Sequence, residues 1–269
     1  INLIMCGIFG FISNSITEEE DILLKESFSK ISYRGPDYTG FYKFKNIRLF
    51  HHRLSILDLD RRSNQPFTSL CGNYILAFNG EIYNYKKLRN DLIKNGFIFK
   101  TTSDTEVLLN SFIHWGEKML LHLEGMFSFI IFDKKNNNIF GARDPFGIKP
   151  LYYIFDSEIF TFSSEQSQLL DLKKRLNQKL CCNKSAIQEY IQYGYVPGPK
   201  SFYNEINSLL PGNKFNFDLQ GKKLNIKKWF NFNNFIKKNS FNTNSIFKLE
   251  KTLRESVALH LESDVPVAI

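Results

Sequence analysis

Cysteine is scarce, with four in 269 residues, at Cys6, Cys71, Cys181 and Cys182. Their spacing matches no zinc-ligand pattern and no regular disulfide framework, which points to a reducing compartment and hence the cytoplasm. No apolar run reaches the ~20 residues that a membrane-spanning helix needs. The first twelve residues are apolar, but they contain no basic leader, and Met5 is a poor residue to precede a cleavage site, which argues against a secretory signal. Any RNA- or DNA-binding motif is missing too. The formal net charge of +8 comes from Lys and Arg spread along the chain, with short clusters near Lys173 and Lys222, and reads as a solvated surface. The abundance of Lys, Asn, Ile, Phe and Tyr follows AT-rich codons, so it speaks of the genome rather than of a partner.

What is present suffices for a packed core. With 269 residues, 43% of them hydrophobic, the chain can build one large domain, or a domain and part of another. "CGIFGFI", "GFYKF", "IRLFHHRLSIL" and "NYILAFNGEIY" are β-rich runs broken by turn residues. "ITEEEDILLKESFSKI" reads as a helix, with Thr17 and Glu20 as a capping box and Ile22, Leu23, Phe28 and Ile31 as its apolar face. "YKKLRNDLIKNG" and "SDTEVLLNSFIHWG" read as two more helices, the second with a capping box of Ser103 and Glu106, and "FIFKT" between them as a strand. Three hairpins are expected, in "MFSFIIFDKKNNNIFGARD", "PLYYIFDSEIFTFSS" and "PGNKFNFDLQGKKLNIKKWF". Antiparallel runs interrupted by a few helices give an α+β class with helices outside stacked sheets. Residues 6–230 are expected to form the main domain, and 231–244, polar and Asn-rich, a linker. Residues 245–269 are expected to be a helix running into an apolar strand that stops in mid-course. A lone strand cannot finish a sheet, so the sequence is expected to be part of a longer one.

Chemistry is suggested first by "MCG". If translation starts at Met5 and that residue is removed, Cys6 carries a thiol nucleophile and, in its α-amine, a base with a pKa of about 7.7–8.0. Acyl transfer also needs donors for an oxyanion, and the Asn79 amide and the Gly80 N–H in "FNGEIYN" are candidates, although an Asn-Gly pair also marks a plain hairpin turn. An amino-acid substrate would need a cation for its carboxylate and anions for its ammonium. Arg53, Glu81 and Asp104 are the candidates; the alternatives are a surface ion pair for Arg53 and a first-turn helix acid for Asp104.

Taken in order, "MCGIFGF", "RGPD", "RLSILD", "NGEIYN", "SDTE", "GARDPFGIKPLYY" and "LESDVPVAI" resemble the glutamine-dependent asparagine synthetases, class II amidotransferases with an N-terminal nucleophile. The resemblance runs from Met5 to Ile269. Sister glutaminases, the glucosamine-phosphate synthases and purine-pathway amidotransferases, would be expected to show "HNG" and a Thr-Arg-Trp segment where this chain has "FNG" and "RLSI". The resemblance implies an αββα sandwich of two antiparallel sheets, followed by the start of an ATP-dependent synthetase domain. It implies Cys6 as nucleophile, Asn79 and Gly80 as oxyanion hole, Arg53 as carboxylate anchor, and Glu81 and Asp104 as ammonium anchors, with backbone around Leu57 lining the site. "GARDPFGIKPLYY" would be largely structural, with Arg143 and Asp144 paired. The implied reaction is hydrolysis of glutamine to glutamate and ammonia through a cysteine thioester, without metal or cofactor, the ammonia converting aspartate to asparagine in a complete enzyme. ATP and Mg2+ would serve the synthetase half. The expected partners are glutamine and aspartate, with a homodimer as the candidate assembly and neither nucleic acid nor membrane involved. The rival readings are an amidotransferase acting on another carboxylate and an inactive glutaminase fold used for binding.

Overall fold

The structure, a computed structural model, describes residues 5–235 and 243–266. Its strands are β1 (Gly7–Ser13), β2 (Tyr38–Phe44), β3 (Ile47–Arg53), β4 (Phe67–Thr68), β5 (Tyr74–Ile82), β6 (Gly125–Asp133), β7 (Asn138–Arg143), β8 (Tyr152–Phe155), β9 (Ile159–Ser163), β10 (Asn207–Ser208), β11 (Asn213–Asp218) and β12 (Lys223–Lys228). Its helices are α1 (Glu18–Ser29), α2 (Tyr85–Lys94), α3 (Asp104–Trp115), α4 (Gln166–Arg175), α5 (Lys184–Tyr193) and α6 (Thr243–His260). The strands pair in two 6-stranded sheets, in the orders β10-β8-β9-β1-β3-β2 and β12-β11-β7-β6-β5-β4.

Successive side chains of a strand point to opposite faces, so a strand apolar at every position is buried on both. In β1, Ile8 and Ile12 face the second sheet while Phe9 and Phe11 face helices. In β6, Ile130 and Phe132 turn to the first sheet, and Phe127, Phe129 and Ile131 turn away from it. Three apolar layers follow. Leu24 and Phe28 of α1 and Leu169 and Leu172 of α4 pack on Phe9, Phe11 and Phe50. Ile8, Leu49, Ala77, Ile130, Phe160 and Phe215 fill the space between the sheets. Leu88 and Leu92 of α2 and Val107 and Leu108 of α3 cover Phe78, Phe127 and Phe129. This is the expected αββα sandwich. Among the described residues no helix is long and apolar enough to cross a membrane.

Several local expectations are corrected. Of the expected apolar face of α1, Phe28 and Ile31 are buried as expected, but the N-terminal half is rotated so that Leu24 takes the place of Ile22. Leu24, Ser27 and Phe28 are buried together with Asp21, whereas Ile22 is 57% exposed. Asp21 sets this rotation, because its carboxylate accepts from Arg48 Nη2 at 2.9 Å and Lys43 Nζ at 2.7 Å. "FIFKT" is a loop, not a strand. Its backbone donors are taken by Glu106, which accepts from Lys100 N at 3.0 Å and Thr101 N at 2.7 Å. Glu106 therefore does not return to Ser103, and the capping box there is half made: Ser103 Oγ caps Thr105 N at 3.1 Å. Helices α4 and α5 were not anticipated. Leu169 and Leu172 in α4, and the Asn183 cap and left-handed Gly194 (φ 78°) bounding α5, were the available signals. At the far end α6 forms as expected. Of the expected linker, Phe232–Phe235 form a short 3-10 helix, Thr243 already begins α6, and 236–242 lie outside the described residues; of the expected strand, residues 264–266 form none and 267–269 lie outside the described residues.

Glu106 is 2% exposed and also accepts from Thr101 Oγ1 at 2.7 Å. Glu106→Ala strands these buried donors and should lower the unfolding free energy in urea by about 1–3 kcal/mol. A variant as stable as the parent would show that water substitutes for the carboxylate without penalty.

Candidate active site

The inward rows of the sandwich change character at one end. Along β3 the row is Ile47, Leu49, His51 and Arg53; along β5 it is Ile75, Ala77, Asn79 and Glu81; and Ile8, opposite His51, is preceded in its row by Cys6. The apolar members belong to the layer between the sheets. Of the polar ones, His51 stays enclosed and the rest open into a cavity lined by all seven expected residues, Cys6, Arg53, Leu57, Asn79, Gly80, Glu81 and Asp104. A roomier cavity of about 410 Å³, lined by Ile12, Phe44 and Phe217 among others, holds none of them.

Cys6 Sγ accepts the Leu54 N–H at 3.3 Å. Burial pushes the thiol pKa up, against the pull of that N–H and of the Lys149 and Arg53 charges. The "RGPD" turn holds this residue in place: Arg34 Nε donates to Cys6 O at 3.1 Å and its Nη1 to Glu165 at 2.9 Å. A Cβ on Gly35 would lie 2.4 Å from the His52 carbonyl, so the turn can pack there only with glycine.

Asn79 and Gly80 form no turn. They continue β5 opposite Ser128 and Phe127, because the ladder with β6 runs on to Ile82. A Cβ on Gly80 would stand 2.2 Å from Met126 O. Phe127 turns its own N–H and C=O to Asp144, at 3.2 and 2.8 Å, so by the alternation of an antiparallel ladder the Gly80 N–H points to the opposite, open edge. On that edge the Phe78 N–H is taken by Gln65 Oε1 at 2.7 Å and the Ile82 N–H by Asp104 Oδ2 at 3.0 Å. The Gly80 N–H lies between them. Beside it Asn79 is 1% exposed, and neither its Nδ2 nor its Oδ1 has a partner.

Charge surrounds these donors. Arg53 Nη1 donates to Asp60 O at 3.0 Å and Asn64 Oδ1 at 2.9 Å, and Nη2 to Leu57 O at 3.2 Å and to Asp58 O. The Asp104 carboxyl is pushed up to about 7 by burial, with the charge of Glu81 adding to the shift. Burial also raises the Glu81 pKa, against the pull of Lys149.

Lys149 and Gln65 were missed. Lys149 was passed over inside a segment read as structural, yet it is 6% exposed and its Nζ reaches Met5 Sδ at 2.9 Å, in the same cavity. Its proton affinity is lowered by burial and raised by Glu81 and Cys6. The signal available for Lys149 was a lone cation among apolar residues. The expected pairing of Arg143 with Asp144 is replaced by backbone bonds. Arg143 donates to the carbonyls of Lys149, Leu209 and Gly147, and Asp144 accepts from the N–H groups of Phe127, Phe146, Ile148 and Lys149. Both residues lock the turn that presents Lys149.

Comparison with known proteins identifies the family. Asparagine synthetase [glutamine-hydrolyzing] 1 of Bacillus subtilis is 34% identical over 266 residues, 98% of this chain and 41% of the relative. Putative asparagine synthetase [glutamine-hydrolyzing] 2 of Methanocaldococcus jannaschii is 34% identical over 284 residues, 98% of this chain and 53% of the relative. The chain thus spans about half the length of the curated relatives it matches. Among solved structures, the glutamine phosphoribosylpyrophosphate amidotransferase of B. subtilis superposes with a TM-score of 0.59 over 84% of this chain and 49% of its own, at 19% identity, a likeness of fold. Residues 5–230 match the glutamine amidotransferase domain, and that span contains every residue lining the cavity; the chain belongs to the glutamine amidotransferase family.

Proposed function

We propose that the pocket hydrolyses glutamine to glutamate and ammonia, and that in a longer protein the ammonia serves the ATP-dependent conversion of aspartate to asparagine. The observation that supports this best is the buried, unpartnered Asn79 amide next to the open-edge Gly80 N–H. An unbonded buried amide is costly unless a ligand completes it. Cys6 Sγ attacks the side-chain carbonyl carbon of glutamine, and the oxygen that becomes anionic is held by Asn79 Nδ2 and Gly80 N–H. Ammonia leaves with the proton taken from the thiol, and water then cleaves the γ-glutamyl thioester. Arg53 and the backbone at Leu57 take the α-carboxylate, and Glu81 and Asp104 the α-ammonium.

The base is the α-amine of Cys6. The hydrogen bonds of Sγ are to the Leu54 backbone, and His51, the imidazole in the same row, is pushed down to about 3 by burial with its Nε2 at Phe78 O. A Cys6 nitrogen held in a peptide bond to Met5 has no basic lone pair, and Met5 itself lines the pocket, so removal of Met5 supplies the base and clears space. On this reading residues 6–230 are the glutaminase domain, 231–244 a linker, and 245–269 the start of a synthetase domain. On this reading the cysteine chemistry calls for no cofactor, and ATP and Mg2+ would serve the synthetase part. The relatives named as glutamine-hydrolysing asparagine synthetases support glutamine as the substrate and asparagine as the product of the longer protein.

Cys6→Ala should abolish ammonia release from glutamine without shifting the urea midpoint, since one small side chain replaces another; near-normal turnover would remove Cys6 from the mechanism. Asn79→Ala should lower kcat by about 10²–10³, the effect of losing one oxyanion donor, and an unchanged kcat would reduce Asn79 to a strand residue.

Acidity offers a separate check. In the Cys6→Ala chain, which binds without turnover, glutamine affinity should be greatest near pH 8, where the substrate keeps its α-ammonium, and fall as pH drops through about 7. Asp104 takes up a proton there and loses its hold on the ammonium. Calorimetry showing constant or tighter binding on acidification would remove Asp104 from the ammonium site.

A further inference from the structure

The loop that follows β3 forms one wall of the pocket, with Leu54, Ile56 and Leu57 among the lining residues. Its backbone is unusual at Asp58, where φ is +50°, a left-handed conformation that a non-glycine residue keeps only when its surroundings fix it. Three fixings are internal to the main body. Arg53 binds the carbonyls of Leu57, Asp58 and Asp60 from below. The Asp58 carboxylate accepts the N–H groups of Thr102 at 2.7 Å and Asp60 at 3.2 Å. The first of these ties the loop to the segment that carries Ser103 and Asp104.

A further fixing comes from far along the chain. Past the end of α6, the Asp264 N–H donates to Ile56 O at 3.0 Å, and Asp264 Oδ2 accepts the Asp58 N–H at 2.7 Å. The two bonds straddle Leu57 and imitate one rung of a β-ladder, the carboxylate standing in for a backbone carbonyl. The same segment also reaches the connection from β5 to α2. Glu262 pairs with Lys86, and the His260 ring lies 4.2 Å from that of Tyr83, two residues beyond Glu81.

We infer that Asp264 is a positioning residue for the glutamine pocket: its two-point latch on Ile56 and Asp58 fixes the loop whose carbonyls hold Arg53, and so ties substrate affinity to the placement of residues 243–266. The inference rests on the glutaminase reading for its kinetic arm only. Asp264 never touches the substrate. Its effect is felt through the loop, as a change in how well the carboxylate end of glutamine is held, while the thiol, the amine and the oxyanion donors stay where they are.

The test compares Asp264→Ala with Asp264→Asn in the full chain freed of residues before Cys6. The alanine variant loses the acceptor for the Asp58 N–H and should raise KM for glutamine about fivefold with kcat within a factor of two, the scale of one exposed hydrogen bond. The asparagine variant keeps an oxygen in place and should restore the parent KM. Hydrogen exchange at the Asp58 amide should speed up severalfold in the alanine variant and not in the asparagine variant, a readout independent of activity. Parent-like exchange and KM in Asp264→Ala would overturn the latch, as would a fall in kcat with KM unchanged. A parent chain that releases no ammonia would sink the glutaminase reading instead, and the exchange measurement would still decide the latch.

Discussion

Two sheets stacked face to face must present dry inner surfaces, and with a period of two along each strand that requirement dictates every second residue of β1, β3, β5 and β6. The site exists because three of these rows run out of apolar residues at the same end of the sandwich. Ile8 gives way to Cys6, Leu49 to His51 and Arg53, and Ala77 to Asn79 and Glu81. The polar groups inherit the burial and orientation that packing imposed on their apolar neighbours. No flexible loop has to bring Cys6 together with the Asn79 amide and the Gly80 N–H, since adjoining elements of the stack already do.

Such a pocket concentrates charge where water is scarce. Burial shifts the Cys6, Glu81 and Asp104 acids upward and Lys149 downward, each toward its neutral form. The opposing pulls come from groups within the same cavity, so the charges lean on one another more than on solvent. An amino acid arriving with one ammonium and one carboxylate suits that arrangement, because it supplies a partner of each sign. The acids stand at the β5 and α3 end and the guanidinium at the β3 loop, so the proposed substrate would have a direction as well as a place.

The site was legible in the sequence because its members sit at the ends of regular elements, where short motifs are conspicuous: Cys6 before a strand, Arg53 ending one, Asp104 starting a helix. The sheets were legible for the same reason, through apolar runs closed by turn residues. What escaped has physical causes. Asn-Gly carries turn propensity, and the ladder with β6 overrode it. "FIFKT" has the composition of a strand but its backbone donors face the Glu106 carboxylate. Ile22 satisfies helical periodicity, and the Asp21–Arg48 pair outweighed it in setting which side of α1 is inside. Lys149 and Asp264 act across gaps of more than a hundred residues, and no local pattern encodes such a partner.

Asn79 has a consequence for selectivity. Its amide is enclosed by protein yet makes no hydrogen bond to any protein group, so its donor and its acceptor are both left to whatever enters the pocket. A visitor that fills the space with hydrocarbon leaves the deficit untouched, and one that offers only a donor or only an acceptor repairs half of it. On the proposed reading, discrimination would come from this pair of unmet bonds, and analogues without the side-chain carbonyl would bind less well even where their shape fits.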